Sequence, residues 1–450
     1  MDKMTDNNFT QTNRQKAVSP WAWVPTLYFA EGIPYFLVNT VSVMLFTRLG
    51  VPNSAMALFT GMLYLPWVIK PIWSPFVDVI RTKRWWIIAM QILLSVAFVG
   101  LTLSIPHPDA GLIATGSSPV SLFAVMLCLF WLTAFASATH DVAADGFYML
   151  ALEGKQQSFF VGIRSLFYRL ASVFGQGGLI ALAGWLEVRL GNIPLAWQMT
   201  LLTASIVFAL ITLWHLLLLQ RVENEPLKEK RQSGGDILRG FGHSFATFFT
   251  KKGILLALLF MLVYRLPEAF LVKMLPPFLV QNPEVGGLGM TTASVGIIYG
   301  TFGVIALALG GILGGFYASR FGLRRSLIPM VLAITLPDAL YLWLSVAQPD
   351  SQLWITVVIF IEQFGYGFGF TAYMLYLMHF AKGGYQTSHY ALSTGFMALG
   401  MMLPGMAAGY IQEAVGYTGL FWLVMACCLL SIAVTFAVRR TMQTEETSAL

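Results

Sequence analysis

Apolar residues run along this chain in blocks of about 18 or more, and polar residues gather in short gaps between them. As a helix rising about 1.5 Å per residue, each block is long enough to cross a hydrocarbon layer of about 30 Å. Period-two alternation is absent and unpaired backbone is not tolerated in lipid, so the blocks are predicted as helices. About twelve spans result, near residues 20–46, 54–78, 85–105, 119–151, 157–186, 195–219, 253–280, 291–317, 326–347, 352–380, 387–412 and 417–438. The predicted architecture is an all-α polytopic membrane protein with twelve transmembrane helices in two six-helix bundles.

One long polar interruption, Gln220 to Lys252, halves the chain. The expected division is an N-terminal bundle over 1–219, a linker over 220–252, and a C-terminal bundle with a short tail over 253–450. Within the linker, Arg221 to Ser233 reads as charged and extended. Ile237, Leu238, Phe241, Phe245, Phe248 and Phe249 follow at helical spacing and read as an amphipathic helix lying on the membrane surface, with a disordered linker as the alternative.

Composition agrees with the pattern. The 450 residues are 57% hydrophobic and 11% charged, against about 25% charged in soluble domains. Cys128, Cys427 and Cys428 all fall in apolar blocks, so neither a disulfide framework nor a metal site is expected. The polar first twenty residues hold no apolar core of a removable leader. The net charge of +6 is a topology signal rather than a nucleic-acid footprint, because the basic residues sit in loops beside the spans. With the N-terminus cytoplasmic, nearly all of them fall on that side, and the other side receives Arg48 and Arg189. Both termini are therefore expected inside.

The halves echo each other. Asp78, Arg81, Lys83 and Arg84 follow span 2, and Ser319, Arg320, Arg324 and Arg325 follow span 8. Aligning Asp78 with Ser319 superposes Lys83 on Arg324 and Arg84 on Arg325, as parallel repeats would. The second loop resembles the Gly-x-x-x-Asp-Arg-x-Gly-Arg-Arg signature of the major facilitator superfamily. The resemblance implies gating loops, with the latch kept at Asp78 and weakened at Ser319; orientation alone would also explain their basicity.

Ionisable residues inside the blocks are costly and face a cavity or a partner. Spans 3 and 12 carry none in their interiors, span 6 only His215 and span 9 only Asp338, which marks these four as outer helices. Glycines crowd spans 5, 8 and 11, including Gly184, Gly300 and Gly409, and mark close helix approach at moving surfaces or plain tight packing.

The densest polar stretch runs from Ala138 to Tyr148 in span 4. Asp141 and Asp145 are four apart, so both lie on one helix face. Such a pair can carry a proton or belong to an internal salt-bridge network. Lys70, set before Pro71, must pair with Asp141 or Glu31, snorkel, or meet an anionic substrate. Arg164 and Arg169 are five apart and point to different faces, one free to hold an aspartate while the other faces a cavity. Arg265 and Glu268, three apart, can pair along span 7. Lys273 is a further cation for the same cavity, and Glu31 and Glu362 are further coupling carboxylates. Trp67, Tyr168, Tyr366 and Tyr373 offer amphipathic ring faces to a substrate, or simply pack.

Three stretches carry a closer resemblance: Glu31-Gly32-Ile33-Pro34, Lys70-Pro71-Ile72-Trp73-Ser74-Pro75 through Asp78, and Ala138-Thr139-His140-Asp141-Val142-Ala143-Ala144-Asp145. Together they are similar to the AmpG muropeptide-permease and acetyl-coenzyme A transporter family. His140 replaces that family's glutamine, and Glu31 stands where serine or glutamine is common. The resemblance implies a secondary transporter importing muropeptides with protons across a bacterial inner membrane. No cofactor is expected, and the partners are a small-molecule substrate, protons and the bilayer, with the chain acting as a monomer. A carrier of coenzyme A thioesters or another anionic metabolite, or a drug exporter, is the alternative within the class. Outside it stand a membrane-embedded enzyme built on His140, His379 and His389, and a non-transporting sensor. No phosphate-binding loop of the Gly-x-x-x-x-Gly-Lys-Ser/Thr type is present, so nothing in the chain indicates ATP drive.

Overall fold

The computed structural model describes residues 18–105, 122–219, 234–383 and 385–448, and every regular element among them is a helix. Spans 1 to 10 are Pro20–Arg48, Asn53–Ser74, Lys83–Leu103, Leu122–Ala151, Phe159–Leu190, Ile193–Leu218, Ile254–Val280, Thr292–Phe321, Leu323–Ala347 and Gln352–Ala381. The next apolar stretch, Ser388–Met442, has 55 residues, about 80 Å if straight and too long for one crossing. Gly416 divides it, at φ 74° and ψ 176°, a conformation essentially reserved for glycine. Spans 11 and 12 lie on either side, which completes the twelve.

Prolines and glycines decide where the spans are irregular. Span 2 breaks between Met62 and Leu65, span 7 between Val263 and Leu266, and span 9 between Thr335 and Asp338, each beside a proline (Pro66, Pro267, Pro337) that lacks the N–H needed to continue the ladder. Spans 1, 5 and 8 each contain one π-helical stretch, Leu37–Val41, Val173–Leu179 and Ile298–Gly303. Such widened turns recur at functional sites.

Span 6, expected to be an outer helix, carries an exposed apolar face. In span 6, Leu195, Met199, Leu202, Ile206, Leu210, Leu213 and Leu217 are exposed at three- and four-residue spacing, while Trp197, Leu201, Ala204 and Phe208 are buried. Asp338 of span 9 turns inward and is buried.

The two halves meet tightly at the span ends remote from the termini. A Cβ on Gly184 would stand 2.1 Å from the Ala293 backbone nitrogen, and one on Gly300 would stand 2.0 Å from the Gln176 carbonyl oxygen, so only glycine lets spans 5 and 8 approach this closely. Polar groups complete this seal. Glu187 pairs with Arg48 at 3.0 Å and accepts from Thr292 Oγ1 of the other half at 2.8 Å. Asn53 donates to Gln412 Oε1 at 2.7 Å and Tyr417 Oη at 3.1 Å.

The linker helix, Gly234–Phe249, does more than lie on the surface. Phe248 is fully buried and stacks on Phe396 at 6.0 Å, and Thr247 Oγ1 is 3.1 Å from His389 Nε2. The helix is thereby docked on the end of span 11 through Phe248, while Phe245 and Phe249 stay exposed. Residues 220–233 and the side chains of Ile237, Leu238 and Phe241 lie outside the described residues.

Candidate functional site

A cavity of about 500 Å³ lies between the halves on the terminal side of the seal. Tyr28 and Glu31 of span 1, Arg164, Tyr168 and Arg169 of span 5, and Tyr366 of span 10 are among its walls. Its floor is Gln176, against which Gly300 packs.

Span 4 runs unbroken through the carboxylate pair, so Asp141 and Asp145 share a face, as their spacing predicts. Lys70 of span 2 forms an ion pair with Asp141. Arg164 of span 5 holds Asp145 at 2.7 Å, and Tyr28 Oη donates to the same carboxylate at 3.1 Å. The Arg164 guanidinium also stands 4.3 Å from the Tyr28 ring centre and 5.2 Å from that of Tyr148, so planar stacking fixes it where a lysine would not be fixed. Glu31 is buried, feels the charge of both aspartates, and has one oxygen, Oε2, with no hydrogen-bond partner. This group of three carboxylates and two cations joins spans 1, 2, 4 and 5; Glu31 and Arg164 line the cavity, whereas Lys70, Asp141 and Asp145 do not. Arg169 has no carboxylate within ion-pair distance among the described residues, and its guanidinium reaches toward Gly311 of span 8. One arginine is thus neutralised internally, and the other lines the cavity without a carboxylate partner among the described residues.

Several sequence-derived candidates lie elsewhere. His140 is fully buried inside the N-terminal half rather than in the cavity. Its Nε2 is 3.0 Å from Gln91 Nε2, and Gln91 in turn meets His215 Nδ1, whose ring reaches Thr26 Oγ1 at 2.9 Å. The helical turn of about 100° per residue that points Asp141 to span 2 points His140 to span 3. Tyr373 is fully buried, donates to the Met261 carbonyl and stacks on Tyr264 at 5.1 Å, so it is core. Trp67 packs edge-on against Tyr35 at 5.2 Å rather than lining the cavity. Glu362 is buried within the C-terminal half, where its Oε2 accepts from Tyr341 Oη at 3.0 Å and Gln363 Nε2 at 2.9 Å. Lys273 is closed between the halves rather than facing the cavity.

The expected Arg265–Glu268 pair is also absent. The helix is interrupted at Tyr264 and Arg265, so the three-residue register that would bring the two side chains together is lost. Arg265 instead donates to Tyr366 Oη and lies 4.8 Å from the Phe370 ring centre. Neither Glu268 oxygen has a hydrogen-bond partner.

The basic loops lie at the terminal side. Arg84 donates to the Leu219 carbonyl, capping the end of span 6. Lys83 lies over Gly146 of span 4, Arg81 stands 5.9 Å from the Trp85 ring centre, and the Asp78 side chain lies outside the described residues. In the second loop, Ser319 and Arg320 are exposed, Ser319 donating to Phe316 O at 2.8 Å, and Arg324 and Arg325 open span 9. Among the described residues no group of three or more His, Cys, Asp or Glu is placed to hold a metal ion. His140 stands apart from His379 and His389, which occupy the terminal-side ends of spans 10 and 11.

Two partners were not singled out from the sequence. Tyr28 is three residues before Glu31, a spacing that puts both on one helix face and so carried a signal. Gln91 is a lone amide in an apolar span, with nothing in its neighbourhood to say which helix it meets.

Comparison with known proteins agrees with this architecture. The sequence model described as Major Facilitator Superfamily matches residues 26–403 and 268–449. The anhydromuropeptide permease of Escherichia coli (strain K12) is 26% identical over 427 residues, covering 93% of this chain and 79% of the permease. Among solved structures, the nucleoside transporter NupG superposes with a TM-score of 0.67 at 16% identity, over 92% of this chain and 96% of that one. A bacterial homolog of the human lysosomal transporter Spinster, inward-facing and unoccupied, gives 0.65 at 16% identity, over 94% and 97%. Identities this low in the solved structures speak for the fold alone.

Proposed function

The chain belongs to the Major Facilitator Superfamily, and on that premise we propose that it imports anhydromuropeptides together with protons by alternating access. As a transporter of this superfamily it is a multi-pass membrane protein and not an enzyme. The reading places it in a bacterial inner membrane with both termini cytoplasmic, so that the conformation described here is the one open to the cytoplasm. A single copy suffices, since the cavity lies between the halves of one chain.

The observation that carries the reading is the division of labour between two arginines at one cavity wall. Arg164 is occupied by Asp145 at 2.7 Å, and Arg169 faces the cavity with no carboxylate partner among the described residues. A muropeptide brings peptide carboxylates for Arg169, whose planar fork matches them, and sugar faces and hydroxyls for Tyr28, Tyr168 and Tyr366. A cavity of about 500 Å³ is within the usual range for ligand sites. Protonation of Asp145 would release Arg164 while leaving a carbonyl oxygen for Tyr28, which couples proton arrival to a rearrangement between spans 4 and 5. Asp141, tied to Lys70, and Glu31 complete the coupling group.

The test is uptake of a labelled anhydromuropeptide into proteoliposomes under an imposed proton gradient. Gradient-driven accumulation is the expected result. No uptake by folded wild-type protein removes the substrate assignment, and coenzyme A thioesters are then offered to the same vesicles.

A further inference from the structure

We infer that Lys273 is a second anion receptor, one that serves the transport cleft only when it opens on the side opposite the termini, where it takes a carboxylate or phosphate oxygen of the substrate.

Lys273 belongs to span 7 and is 2% exposed. Its Nζ donates to Thr60 Oγ1 of span 2 at 3.1 Å and stands 5.3 Å from the Tyr64 ring centre. An ammonium of one half is therefore held by a hydroxyl and a ring face of the other. The stem runs past Gly405 of span 11, where a Cβ would come within 3.1 Å of Lys273 Cγ.

What the lysine lacks is a counter-charge. Arg48, Lys70 and Arg164 each have a carboxylate partner, whereas none lies within 4.0 Å of Lys273 among the described residues. Glu268 is five residues back on the same span, a spacing that points it to a different face. A hydroxyl and a ring replace only part of the hydration of an ammonium, so the site is electrostatically incomplete. A lysine kept only for packing is usually neutralised when buried.

Its place in the fold says when the deficit is filled. Thr60 lies between the Asn53 seal and the mid-membrane break of span 2, and Tyr64 sits in that break. Parting of the halves on that side carries Thr60 and Tyr64 away with the N-terminal half and leaves Lys273 on the wall of the new cleft. Its three N–H donors then face solvent and substrate, and an anionic oxygen is the group that completes the site. Arg169 supplies the equivalent charge in the conformation open toward the termini. The substrate's anion thus meets one cation in each state.

The inference rests on the carrier reading given above, and its test separates the two. Sulfosuccinimidyl acetate, an amine reagent that does not cross membranes, is applied to oriented vesicles from the side opposite the termini, and the peptide containing Lys273 is weighed by mass spectrometry. Acetylation of Lys273 from that side, reduced about fivefold by an anhydromuropeptide with free carboxylates and not by its amidated form, is expected. Transport kinetics supply the second arm. Lys273→Gln should raise KM for the acidic form about tenfold when transport starts on that side, with little change from the other, and Lys273→Arg should restore it. The asymmetry between sides is a readout that loss of folded protein does not produce. No acetylation from that side, or equal effects on both sides or on acid and amide alike, overturns the inference. Should wild-type protein move no muropeptide, the substrate reading has failed, and inorganic phosphate becomes the protecting probe. Protection by phosphate then supports the Lys273 site and its absence overturns it.

Discussion

Asp141 and Asp145 stand one turn apart on span 4 yet are held by different helices, Asp141 by Lys70 of span 2 and Asp145 by Arg164 of span 5. A change of charge at either carboxylate therefore loosens a different pair of helices. The two positions should separate stability from coupling.

Lys70 and Asp141 are the more enclosed pair, with side chains 32% and 19% exposed. Removing one partner strands the other, at about 1–3 kcal/mol for a site only partly screened by water. Lys70→Met and Asp141→Leu should each lower the melting temperature of the purified protein, and the double substitution should recover most of the loss. Thermal unfolding of the four proteins in detergent measures this cycle; additive losses would mean that the pair does not couple.

At Asp145 the expected defect is in coupling. Asp145→Asn keeps an acceptor for Tyr28 and gives up the charge on which protonation acts. Exchange of labelled for unlabelled substrate should continue within about threefold of wild type, while accumulation against a gradient falls about tenfold or more. Arg164→Lys retains the charge but not the stack on Tyr28 and Tyr148, and should slow both reactions. Proteoliposome exchange and gradient-driven uptake, measured side by side, tell these outcomes apart.

His140 should behave as a core residue. His140→Leu leaves Gln91 short of a partner inside the N-terminal half and should destabilise by about 1–3 kcal/mol, with KM for substrate unchanged. His140→Gln can still reach Gln91 and should lose less. A large KM change in a stably folded His140 variant would return this residue to the cavity.

The glycine seal predicts a conformational phenotype. In Gly184→Val the new side chain meets the Ala293 backbone, since even a Cβ would lie 2.1 Å from its nitrogen. Closure on the side opposite the termini should fail, and transport should fall about tenfold or more. Thiol labelling of a cysteine placed at Ser294, from that side, should rise in the variant relative to its parent.

The amino-acid sequence by itself determined the helical class, the number of spans and the shared face of Asp141 and Asp145. Each of these follows from a period along one helix or from the cost of polar groups in lipid. Its motifs also pointed to the transporter family. Tertiary structure alone decided the rest: that Lys70 takes Asp141 and Arg164 takes Asp145, that Arg169 is left over, that His140 and Tyr373 turn into the bundles, and that Lys273 is shut between the halves. Helical periodicity sets the angle between two side chains on one axis. The rotation of that axis against its neighbours comes from packing across the bundle, and at Gly184 and Gly300 from backbone contacts that no local pattern encodes. The broken turn at Tyr264 and Arg265 makes the same point, because Pro267 signals the break while only the packed bundle shows Arg265 meeting Tyr366 instead of Glu268.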